Sequence, residues 1–118
     1  MRASRGEIKI EEILEEAGLS FKMEYIFPDL KSPNGRPLRF DFVVFDDDGK
    51  IDFIIEYQGK QHYEPSAKFG GKKGFYLRKY KDELKRKLCK EHNINLLYFN
   101  YDDDINEFEQ KLKEYGIF

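Results

Sequence analysis

The chain has one cysteine, Cys89, in 118 residues, which rules out an internal disulfide. It also shows no secretory leader at its start, where Arg2, Arg5 and Glu7 come early, and the two absences together predict a reducing, cytoplasmic setting. No apolar run reaches the ~20 residues of a membrane-spanning helix, so no membrane partner is expected. Internal repeats and low-complexity tracts are missing as well. That leaves one domain over residues 1–118, large enough for a core without disulfide or structural metal. A strong charge of one sign is the last absence: the formal net charge is −2, whereas most nucleic-acid-binding domains are basic overall.

Apolar residues make up 40% and aromatics 16%, with 11 Phe and 8 Tyr, so the chain is globular despite 37% charged residues. The charges are unevenly placed. Lys60, Lys68, Lys72, Lys73, Arg78, Lys79, Lys81, Lys85, Arg86, Lys87 and Lys90 lie in the middle, whereas acids collect in the first helix and the C-terminal tail. A basic face is therefore open to the middle of the chain.

The stretch from Arg39 to His62 organises the rest. Two runs rich in Phe, Val and Ile, residues 39–45 and 51–58, flank a short acidic segment with Asp48-Gly49, the composition of a β-hairpin. Asp41 and Glu56 interrupt these apolar runs where ionised carboxylates are costly to bury. Strand alternation puts Glu56 and Gln58 on one face, Ile55 and Tyr57 on the other, and points Phe40 and Phe42 away from Asp41. Two carboxylates on adjacent strands, with Gln58 near, suit a hard divalent cation. Gly59 then ends the strand and presents His62.

In chain order, Ser4 and Glu7 have capping-box spacing, and Ile10, Ile13, Leu14 and Ala17 repeat at helical period until Gly18. Glu7 lies near the edge of that stripe, while Glu12, Glu15 and Glu16 point away. Position alone leaves Glu7 either facing inward or completing the cap. Residues 21–27 alternate as a strand that Pro28 stops, and residues 29–38 read as a loop. Residues 69–74, Phe-Gly-Gly-Lys-Lys-Gly, read as a solvated loop whose lysines are able to meet phosphates. Residues 75–91 form an amphipathic helix with Leu77, Tyr80, Leu84 and Leu88 on its apolar stripe. Asp82 lies off that stripe with Arg78, Lys85 and Cys89, and spacing alone makes it a surface ion pair. A short buried strand at 94–99, a turn at 101–104 and a last helix carrying Ile105, Phe108, Leu112 and Tyr115 complete the chain. The predicted fold is α/β in the order α-β-β-β-α-β-α, a mixed sheet flanked by helices.

Glu7 near the start of the first helix, Asp41 on one strand, Glu56-Tyr-Gln58 on the next and the helix and strand that follow resemble the PD-(D/E)xK, or restriction-endonuclease-like, nuclease superfamily. Gln58 stands where the usual motif has Lys. Within the superfamily the pattern is most similar to very-short-patch-repair and phage homing endonucleases, described as E-D-x-H-D. Glu7, Asp41, Glu56, His62 and Asp82 fall in that order. Two departures are plain: Glu56 occupies a position that the repair enzymes use through a backbone oxygen, and the cysteines and extra histidines of their zinc site are absent. Mismatch specificity is therefore not carried over.

The resemblance implies a restriction-endonuclease-like core and metal-dependent hydrolysis of DNA phosphodiester bonds, by nicking or double-strand cleavage, of a phage or mobile-element homing type. Mg²⁺, with Mn²⁺ able to substitute, would be held by Asp41, Glu56 and a carbonyl near Tyr57. His62 would serve as general base or acid, oriented by Asp82, with Glu7 completing the set. Gln58 would orient the attacking water without supplying the charge of the usual Lys, a role left to Lys60 or a histidine. Lys60, Lys72, Lys73, Arg78, Lys81 and Lys85 would contact DNA phosphates, with a homodimer or a separate DNA-targeting partner as further options. The alternative is a catalytically inactive nucleic-acid-binding module on the same fold, which the Gln58 replacement favours.

Overall fold

A computed structural model describes residues 5–31, 35–59 and 70–114, with side chains described for all of these except 28–31. The elements run α1 (Arg5–Glu16), β1 (Ser20–Lys31), β2 (Pro37–Phe45), β3 (Ile51–Gln58), α2 (Gly71–Glu91), β4 (Asn95–Asn100) and α3 (Ile105–Glu114). The sheet is mixed and four-stranded, in the order β1-β2-β3-β4. β1, β2 and β3 pair antiparallel, and β4 joins β3 in parallel after the α2 crossover that parallel neighbours require. Among the described residues no helix is long and apolar enough to cross a membrane. The expected Ser4 cap, the whole 60–69 stretch with Lys60 and His62, and Tyr115 lie outside the described residues.

The hairpin turn follows from its chemistry. Asp46 Oδ1 accepts the amides of Asp48 and Lys50 at 2.9 Å each, and Gly49 takes φ 79, a conformation only glycine adopts freely. β1 differs from expectation by running past Pro28 to Lys31. Proline, which has no amide to donate, is tolerated because β1 is an edge strand and its pairing with β2 is irregular between Phe27 and Lys31. The 29–38 loop is correspondingly short. The expected loop at 69–74 is also corrected: Gly70, at φ 89, caps α2, and Lys72, Lys73 and Gly74 form its first turn.

Two apolar layers sandwich the sheet. Ile10, Ile13 and Leu14 of α1 and Phe108 and Leu112 of α3 pack on Phe42, Val44, Phe53, Ile55, Leu97 and Phe99. On the other face Leu88 and Cys89 of α2 meet Leu38, Phe40, Val43 and Ile54. Phe40 and Phe42 therefore point to opposite faces, although two residues apart in one strand they were expected to share one. β1 makes the same exchange: Phe21 and Met23 join the first layer, Tyr25 and Phe27 the second. Between them Glu24 adopts φ 51, a left-handed conformation that reverses the alternation, and Asp41 sits opposite it.

Candidate active site

β2 and β3 pair from Phe42↔Ile55 back to the turn, and the ladder stops at the next pair, Asp41 and Glu56. β3 meanwhile stays paired to β4 through Glu56, Tyr57 and Gln58. The strands thus part at Asp41, and the two carboxylates take over the bonds the ladder has lost. The Asp41 amide donates to Glu56 Oε2 at 2.9 Å, and the Tyr57 amide donates to Asp41 Oδ2 at 2.8 Å. Buried amides without ladder partners need acceptors, which is a structural reason for acids at these two positions.

Glu56 is 4% exposed and points to the α2 face, where the Lys85 ammonium donates to its Oε1. Lys85 Nζ also stands 5.2 Å from the centre of the Phe40 ring, the ring that the exchange of faces carries to this side. Two positions along β3, Gln58 Nε2 donates to Asp82 Oδ2 at 3.4 Å, with both residues buried. Tyr57 faces the other layer, against Phe99 and the first turn of α1, where a Cβ at Gly6 would overlap its ring. Burial, then the negative charge of Glu56 and a hydrogen bond with it, push the Asp41 carboxyl up from its usual 3.8 to about 8, against the opposing Tyr57 amide and Lys85. Burial likewise raises the Cys89 thiol to about 11, so this thiol packs rather than reacts.

α2 is rotated relative to the expected stripe. Leu77 and Tyr80 are 40% and 48% exposed, while Asp82, Lys85 and Cys89 turn inward. Leaving the Glu56 carboxylate and the Gln58 amide buried without partners costs more than exposing a leucine and a tyrosine, and that fixes the helix's orientation. The expected surface ion pair of Asp82 is corrected, since Asp82 is buried on Gln58; Lys85, expected at a phosphate, stands on Glu56. The missed signal was Cys89, an apolar residue four positions after Lys85 on a flank read as solvated.

Asp41 is therefore linked to Glu56 and to the Tyr57 amide, and Glu56 to Lys85, with Gln58 and Asp82 adjoining. Glu7 is half-buried in the first turn of α1, beside Gly6 and hence on the Tyr57 side of the sheet. Lys72 and Lys73 are exposed at the start of α2, away from the carboxylates in the chain, while Arg78 and Lys81 are half-buried along it. His62 and Lys60 are outside the described residues.

Among the described residues no group of three or more His, Cys, Asp or Glu is gathered to hold a metal. What converges is two carboxylates at the end of a strand, beside the backbone of Tyr57. That donor set fits a hard cation that keeps most of its waters, as Mg²⁺ does, and fits a zinc site poorly. Lys85 on Glu56 holds positive charge where such a cation would sit.

The uncharacterized protein 307L of Invertebrate iridescent virus 6 is 35% identical over 78 residues, which span 63% of this chain and 40% of the viral protein. No family model matches the chain, and no solved structure matches it.

Proposed function

We propose that the chain is a divalent-metal-dependent endonuclease of the restriction-endonuclease-like type that hydrolyses DNA phosphodiester bonds. The observation that carries the reading is the pair of carboxylates, Asp41 and Glu56, held side by side where two central strands part. Mg²⁺ bound there, with Mn²⁺ as substitute, would polarise the scissile phosphate and lower the pKa of an attacking water. Asp41, Glu56 and a carbonyl near Tyr57 would hold it. Lys85 Nζ, beside Glu56, would supply to the phosphate oxygens the positive charge that Gln58 lacks. Gln58, fixed by Asp82, orients water through its amide. His62 takes or returns the proton at an imidazole nitrogen, and Glu7 supports the Tyr57 side.

Calorimetric titration with Mn²⁺ tests the metal site. Wild-type protein takes up one or more ions, and Asp41→Asn/Glu56→Gln, which keeps an acceptor for each strand amide, loses that uptake while keeping its fold. Unchanged uptake in the double variant overturns the assignment.

A catalytically inactive nucleic-acid-binding module is the second reading. It draws on Lys85 already neutralising Glu56, an arrangement that is satisfied without any metal. Absence of cleavage with Mg²⁺ or Mn²⁺ alongside retained nucleic-acid binding selects it.

A further inference from the structure

A cleft of ≈ 400 Å³ opens between the start of β2 and the middle of α2, walled by Arg36, Arg39, Lys81 and Lys85 over a floor of Ile26 and Leu38. The chain itself brings these cations together. Arg36 and Arg39 come from the entry to the strand that carries Asp41. Lys81 and Lys85 are one turn apart on α2, so they share a helix face. Glu24 stands 3.7 Å from Arg39, with both side chains more than half exposed, so it screens Arg39 only weakly. Lys85 belongs to both places, reaching Glu56 at the carboxylates and lining the cleft.

We infer that this cleft binds a second phosphate of the nucleic-acid strand, next to the one presented to Asp41 and Glu56. The inference rests on the phosphodiesterase reading and deepens it by giving the strand a direction across the protein: over α2 and the start of β2. Arg36, Arg39 and Lys81 in one concave wall, beside the Lys85–Glu56 pair, suit a phosphodiester anion, and guanidinium groups favour its paired oxygens. The polar side chains that line the cleft are all cations, the type that meets phosphates, so the contact positions the strand rather than reading its sequence.

Binding of a fluorescent oligonucleotide, measured by anisotropy in EDTA over a series of salt concentrations, tests the cleft without requiring catalysis. Arg36→Ala, Arg39→Ala and Lys81→Ala should each weaken binding by about three- to tenfold and flatten the slope of log affinity against log salt by about 0.7–0.9. Lys113→Ala on α3, across the sheet, should change neither. A single uncharged methylphosphonate beside the scissile position should weaken wild-type binding and leave the Arg39→Ala protein little affected. Variants that bind like wild type, equal loss in Lys113→Ala, or competition by polyglutamate as strong as by polynucleotide would each overturn the inference. Wild-type protein that shows these effects yet never cleaves with Mg²⁺ or Mn²⁺ upholds the cleft and overturns the nuclease reading alone.

Discussion

Lys85 of α2 donates to the Oε1 atom of Glu56 on β3, and both side chains are nearly closed to solvent. A buried carboxylate and its ammonium partner depend on each other, since removing either leaves an uncompensated charge. The parted strands are thus held to α2 by the residue that also borders the basic cleft.

Replacing that ammonium separates structure from chemistry. Lys85→Met keeps the aliphatic stem and should lower stability by about 3 kcal/mol, the scale of a broken buried pair. At a temperature where both proteins are folded, turnover should fall by about 10²–10³-fold. Adding Gln58→Lys, which restores a lysine on β3, should return part of the activity. Full activity in Lys85→Met would show that Lys85 has a structural role only.

The raised Asp41 carboxyl sets a pH dependence. The folded state takes up this proton at about 8 and the unfolded chain at 3.8, so the folded protein binds more protons between them. The contribution of this carboxyl to metal-free stability therefore falls as pH rises through that window and is greatest on its acid side. Melting temperature in EDTA should decline toward pH 8, and Asp41→Asn should flatten the decline. Divalent cation should also flatten it, with proton release on binding near neutral pH. A slope unchanged by Asp41→Asn contradicts this account.

Much of this was legible in the sequence, for physical reasons that differ by element. The hairpin and its two acids stand out because carboxylates are rare in Phe- and Ile-rich strands, and alternation correctly puts Gln58 on the face of Glu56. The exchange of faces at Asp41 was hidden because it depends on φ 51 at Glu24, and a glutamate carries no local sign of a left-handed backbone. The orientation of α2 was misread because Leu77 and Tyr80 look like a core stripe. They yield to a buried polar demand that arises on β3, nearly thirty residues earlier than Lys85. Pro28 misled through a rule that holds for central strands and relaxes at an edge.

Gly6 offers a check on packing near the site. Ala at this helical position gains up to about 1 kcal/mol in propensity. Its Cβ, however, collides with a Tyr57 ring backed by Phe99. Gly6→Ala should lose about 1–2 kcal/mol in urea denaturation, the range of an overpacked site. A stabilised variant would mean that the ring has room to move.

Asp82 now has two possible duties that one pair of variants distinguishes. Asp82→Ala strands the buried Gln58 amide and should destabilise by about 1–3 kcal/mol. Asp82→Asn keeps a carbonyl acceptor and should recover most of that stability. If Asp82 also orients His62, the Asn variant should remain slow, with a shifted pH–rate profile, while His62→Ala loses about 10²–10⁴-fold in turnover. A stable, fully active Asp82→Asn protein restricts the residue to holding Gln58.

The central claim is that the parted strands at Asp41 and Glu56 carry metal-dependent phosphodiester hydrolysis. Its most direct test is cleavage of supercoiled plasmid by purified protein with Mg²⁺, Mn²⁺ or EDTA, alongside Asp41→Asn and Glu56→Gln. The expected result is nicked or linear DNA with either metal, none with EDTA, and none from either variant even though both still bind DNA. Cleavage that persists in the variants or in EDTA, or no cleavage by wild-type protein under any of these conditions, would contradict it.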